Sequence, residues 1–156
     1  MKRALVFLAP ALLFTGVLQA ASGLTFDKAE YAARRARLME KIPDGAAVFL
    51  GAAPPASDVQ FRQGHDFLYF TGVRAPNAYL IVDGLRKEST LFFTLTEREA
   101  DGEGLPLDLV KRAGEYTGIE RVQTAEQFAA ALTALGQRTR VLYTMFKPEE
   151  LGPENS

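Results

Sequence analysis

The sequence predicts an α/β domain in which helices flank a mixed β-sheet. Three observations carry this. Apolar runs alternate between helical and strand periodicity in the order helix, strands, helix, strand, helix, strand. Two S/T/D-x-x-E/Q helix starts, Asp27 with Glu30 and Thr124 with Gln127, punctuate the chain. The composition, 47% hydrophobic and 24% charged over 156 residues, is that of one globular domain.

The elements follow in order. Lys2 and Arg3 precede an apolar run from Ala4 to Leu18 that ends in small residues, the layout of a secretory signal peptide over residues 1–22. The run is too short for a spanning helix and contains Pro10, so export without a stable membrane anchor is expected. The domain is expected over residues 23–146, with a polar tail or linker over 147–156. Within it, Thr25 to Ile42 reads as a helix capped by Asp27 and Glu30 and stapled by Phe26 against Tyr31. Its Arg34, Arg37 and Lys41 form a basic stripe, read as a solvated face.

Ala46 to Leu50 reads as a buried strand, followed by a loop over Gly51 to Ser57 that contains two adjacent prolines. Ala78 to Val82 and Thr90 to Leu95 read as an antiparallel pair. The acidic stretch Glu97 to Gly104 reads as an exposed loop. Pro106 opens a helix running to Thr117 and broken at Gly118, and a short strand follows over Ile119 to Val122. The Thr124 helix carries Phe128, Leu132 and Leu135 on one face and stops at Gly136. Arg140 to Tyr143 is the last strand.

Composition excludes several chemistries. Without cysteine there is no disulfide, thiolate metal site or thiol nucleophile. The formal charge is −1; removing Lys2 and Arg3 leaves 16 basic against 19 acidic residues, or −3, and nothing indicates a nucleic-acid partner. His65 is the only histidine. In an extended chain Asp66 points away from it and cannot orient the ring as a triad acid does, so His65 is read as a partly exposed residue at a strand end rather than a catalytic group or metal ligand. Glu97, Glu99, Asp101 and Glu103 lack the spacing of a calcium loop. Gly102 and Gly104 are followed at 107 by Leu, so no dinucleotide fingerprint is present. No residue is assigned a catalytic or metal-binding role.

The densest juxtaposition of polar and aromatic residues is Phe61 to Pro76, FRQGHDFLYFTGVRAP. Arg62 and Asp66, four apart, are read as an internal clamp, with direct contact to a substrate as the alternative. The order Tyr31, Arg34, Arg35, then Ile42-Pro43-x-Gly45 and Gly51, then Phe61, Arg62, Gln63, Asp66, Phe67, Tyr69, Thr71 and Gly72, then Pro76-Asn77-Ala78, resembles the N-terminal domain of Xaa-Pro aminopeptidases (aminopeptidase P), also called the creatinase-like N-terminal domain.

The resemblance implies a ribonuclease H-like fold and a non-catalytic role in gating and oligomer contacts. It further implies a following "pita-bread" domain as partner, with manganese as that domain's cofactor and none in this chain. The eight residues from Phe61 to Gly72 named above are then a structural or interface motif. The sequence ends at Ser156 without such a domain and has no tryptophan, so a fragment of the enzyme is expected. The alternative is a free-standing exported binding module that has lost the enzyme domain.

Overall fold

The computed structural model describes residues 24–54, 56 and 60–145, so the leader expected over 1–22 and the tail expected over 147–156 lie outside the described residues. In chain order the elements are α1 (Lys28–Lys41), β1 (Gly45–Leu50), α2 (His65–Thr71), β2 (Tyr79–Asp83), β3 (Glu88–Phe92), α3 (Glu97–Gly102), α4 (Leu107–Lys111), α5 (Ala113–Thr117), β4 (Arg121–Gln123), α6 (Phe128–Arg138) and β5 (Val141–Thr144). The five strands lie in the order β4-β3-β2-β1-β5. β1, β2 and β3 run antiparallel, while β5 is parallel to β1 and β4 parallel to β3. This is the mixed sheet flanked by helices that the sequence predicts.

Strand alternation divides the core in two. Ala47, Phe49, Leu80, Val82, Leu91 and Phe93 face the layer built by α1, α2, α4 and α5, with Met39, Phe67 and Leu109 buried against them. Ala46, Val48, Ile81 and Phe92 face α6, which brings Phe128 and Leu135. The Tyr79 and Phe128 rings stack there with centroids 4.3 Å apart.

Five local expectations change. The run His65 to Thr71 is helical, not extended. Phe67 and Thr71, one helical turn apart, are buried, and Phe70 meets the Phe49 ring at 4.6 Å. A strand would have put alternate members of this run into water. The acidic run forms helix α3, started by a capping box in which the Thr96 hydroxyl accepts from Glu99 N and the Glu99 carboxylate accepts from Thr96 N. The helix expected from Pro106 to Thr117 is broken at Arg112, where φ is −143° and ψ 46°. α6 runs through Gly136, at a cost of about 1 kcal/mol relative to alanine, to reach Arg138, which pairs with the buried Asp83. Finally, Glu30 does not close a box on Asp27 but pairs with Arg34 at 3.0 Å; the Asp27 cap itself and the Phe26–Tyr31 staple are both present.

The basic stripe of α1 is not uniformly solvated either. The Arg34 side chain is only 10% exposed. Its guanidinium lies 4.8 Å from the Phe26 ring centroid, 5.2 Å from Tyr31 and 4.3 Å from Tyr69, and it donates to Tyr69 O at 3.0 Å. Beside it Arg35 is buried. Arg35 Nη1 donates to Phe70 O (2.9 Å) at the end of α2, and Nη2 donates to Gly118 O (2.6 Å) just beyond α5. Helix C-termini present unpaired carbonyls and a partial negative charge, so one guanidinium satisfies both ends at once.

Burial holds the Arg35 pKa below the usual arginine value, and the nearby Glu120 carboxylate partly restores it. Arg35→Met keeps the volume but removes the donors from two part-buried carbonyls; with a penalty of about 1 to 3 kcal/mol per group, we expect a loss of about 2 to 6 kcal/mol in urea unfolding. An unchanged midpoint would show that the two helix ends do not depend on Arg35.

Candidate functional site

The Phe61 to Pro76 segment separates into a buried frame and an exposed rim. Gln63 is the centre of the frame. Its Oε1 accepts from Ala52 N (2.6 Å) and Gly64 N (2.8 Å), and its Nε2 donates to Ala75 O (2.8 Å). One buried amide thus ties the loop leaving β1, the start of α2 and the chain entering β2. A glutamine suits this because its side chain alone offers both acceptor and donor at that reach.

The end of α2 is set by Thr71 and Gly72. Thr71 Oγ1 donates to Phe67 O (2.8 Å) and accepts from Val73 N (3.0 Å). Gly72 takes the left-handed conformation, φ 69°, and donates to Leu68 O (2.8 Å). A Cβ there would fall 2.7 Å from Tyr31 Cζ, so both the dihedral and the close approach of α1 demand glycine. The same device ends α5, where Thr117 Oγ1 donates to Ala113 O (2.7 Å), Ile119 N donates to Thr117 Oγ1 (3.2 Å) and Gly118 has φ 64°. The pair of Thr-Gly-aliphatic triplets, residues 71–73 and 117–119, is a signal visible in the sequence itself; the bridge that Arg35 makes to Phe70 O and Gly118 O at the two helix ends has no local sequence signal.

The rim is formed by Arg62, His65, Asp66 and Tyr69, all exposed, while Phe61 is half-buried. The clamp expected between Arg62 and Asp66 does not form: among the described residues no ion pair or hydrogen bond joins them. The physical reason is the helix. Asp66 lies in the first turn of α2, where a carboxylate is favoured by the helix dipole, and Arg62 precedes that turn in irregular chain. Gln63, not Arg62, fixes the approach. Tyr69, 49% exposed, packs edge-on against Phe70 and over Arg34.

For metal chemistry, among the described residues no group of three or more His, Cys, Asp or Glu side chains is placed to hold an ion. His65 stands on the rim. Glu97 pairs with Lys111 at 3.4 Å and Glu99 is engaged with Thr96, so two of the four carboxylates of the acidic run hold α3 in place. Among the described residues the side chains present do not fit manganese.

Residues 31–143 match the family model of the aminopeptidase P N-terminal domain. The chain belongs to this family. The Xaa-Pro aminopeptidase of Escherichia coli (strain K12) is 30% identical over 73% of this chain and 28% of its own length. Aminopeptidase P from E. coli with the inhibitor Pro-Leu superposes with a TM-score of 0.63 at 28% identity, covering 76% of this chain and 29% of that one. Proline aminopeptidase P II from Yersinia pestis gives 0.62 at 27% identity, covering 81% and 30%. Icp55 from Saccharomyces cerevisiae, 18% identical with a TM-score of 0.66 over 82% of this chain and 31% of that one, shares the fold. The chain therefore spans less than a third of the length of the aminopeptidase P proteins from E. coli and Yersinia pestis that it matches.

Within this aminopeptidase P N-terminal domain the frame and the rim are separable by mutation. Gln63→Leu removes three hydrogen bonds worth about 0.5 to 1.5 kcal/mol each and is expected to lower unfolding stability by about 2 to 4 kcal/mol. Asp66→Ala, on an exposed face, is expected to stay within about 0.5 kcal/mol. Equal losses for the two in chemical denaturation would contradict this division.

Proposed function

We propose that this chain is the non-catalytic N-terminal domain of an exported Xaa-Pro aminopeptidase-like metallopeptidase. In this reading it restricts access to a catalytic cleft and supplies contacts between subunits. The peptidase activity, manganese-dependent removal of an N-terminal residue that precedes proline, belongs to a further domain that binds the metal.

The observation that carries this is the match of residues 31–143 to an N-terminal domain whose relatives are longer enzymes, of which this chain covers 28%. The structure adds a consistent physical picture. Gln63, Thr71, Gly72 and Arg35 hold α2 at both ends, and a fixed element presenting Asp66 and Tyr69 suits an interface better than a mobile loop does. The apolar run Ala4 to Leu18 behind Lys2 and Arg3 supports export.

Two measurements test it. Purified with manganese, the 156-residue chain is expected to release no N-terminal residue from an Xaa-Pro peptide; release by this chain alone overturns the non-catalytic assignment. Residues 1–22, fused to a reporter that is active only outside the cytoplasm, are expected to switch it on, and a silent reporter counts against export.

A further inference from the structure

The sheet face beneath α6 changes character across the helix. Ala46, Val48, Ile81 and Phe92 lie in the small core there. Toward β4 the register continues the same face with Asp83 beside Glu88, Ile81 beside Thr90 and Arg121, and Phe92 beside Gln123. Most of these added positions are polar although a helix runs alongside. α6 meets them with Ala131 and Ala134, whose side chains are too short to reach across, and a groove of about 290 Å³ remains between helix and strands.

The charges in this groove are held by a buried acid. Asp83, only 4% exposed, engages both its oxygens: Oδ1 accepts from Arg86 N (3.0 Å) and Oδ2 from Arg138 Nη1. One carboxylate thereby fixes the turn that carries Arg86 and the side chain that ends α6. Glu88 pairs with Arg121 at 3.3 Å. Three arginines thus face two carboxylates, an excess of one positive charge. Donors are also in excess. The Arg86 guanidinium, the Thr90 hydroxyl and the Gln123 amide line the groove without a side-chain partner among the described residues.

We infer that the groove binds a small organic monocarboxylate, with the carboxylate on the guanidinium groups of Arg86, Arg121 and Arg138 and an aliphatic body against Ile81, Ala131 and Ala134. Planar guanidinium forks match the two oxygens of a carboxylate and hold them by charge-assisted bonds. The single surplus charge matches a monoanion, whereas a phosphate dianion would stand uncompensated beside Asp83 and Glu88. Size sets the class of molecule as well. The groove lies at the small end of the roughly 300 to 1,000 Å³ range of ligand pockets, so it fits a small acid and not a polypeptide. Met145, where the described chain ends, lines the other flank of α6, and β5 is at the opposite edge of the sheet from β4.

The test is a titration of the 156-residue chain followed by amide chemical shifts in NMR, at constant ionic strength. Three probes are compared: isocaproate, its neutral analogue isocaproamide, and inorganic phosphate. Isocaproate is expected to shift the amides of Arg86, Thr90, Arg121 and Arg138 in a saturable way, with the other two probes at least about tenfold weaker. Arg86→Gln and Arg121→Gln, at exposed positions, are each expected to weaken isocaproate about tenfold, the loss of one charge-assisted contact. Arg98→Gln removes the same charge from exposed α3, outside the groove, and is expected to change nothing. The unliganded spectrum of each variant reports that it is folded.

Equal binding of isocaproamide overturns recognition of an anion, and phosphate binding as tightly as isocaproate overturns the choice of a carboxylate. Shifts that are absent, or that fall outside the groove, overturn the site itself. An equal loss in Arg98→Gln assigns the effect to net charge and overturns the inference.

Discussion

The layer of helices over the larger core depends on one buried cation. Arg35 leaves the middle of α1 and reaches the carbonyl ends of α2 and α5 simultaneously. Without it, two short helices of seven and five residues would meet α1 with their negative ends unpaired inside the protein. Such short helices are marginal on their own. Their stability comes from packing and from satisfied ends, and the guanidinium supplies the latter for both. Burying a charge is expensive, and Arg35 Nε has no hydrogen-bond partner among the described residues; two charge-assisted bonds to aligned helix dipoles offset that expense.

The same logic organises the segment after β1. Gln63 holds three stretches of backbone with a neutral side chain, and Thr71 with Gly72 closes the helix it introduces. The polar residues buried in this segment therefore serve the fold. The exposed polar side chains of α2, those of His65, Asp66 and Tyr69, lie outside that frame, and the proposed gating role rests on them.

Unequal coverage of the sheet then becomes the main functional asymmetry. Four helices complete one face. Among the described residues the other is covered along the line of α6, with Leu50 and Leu142 exposed beside it, while Tyr143 is exposed on the opposite face.

Much of the fold was legible in the sequence because its signals are local. The cap at Asp27, the staple of Phe26 on Tyr31, the Thr124 box, the strand alternation and the glycine stop at 118 each involve residues within a turn or two of one another, and the family motif is a contiguous run. What only the tertiary structure decided involves distant partners. Phe67 to Phe70 look like a strand by composition, yet they form a helix because Phe49 and the sheet await one helical face. α6 overruns Gly136 because Arg138 finds Asp83 on β2. The acid at 66 proposed as partner to Arg62 is drawn instead into a helical first turn, while Gln63 reaches Ala52 and Ala75, residues 11 and 12 positions away. Arg35 bridges to Gly118, 83 residues on. No local pattern encodes such a contact, because its energy exists only once burial has removed water from both carbonyls.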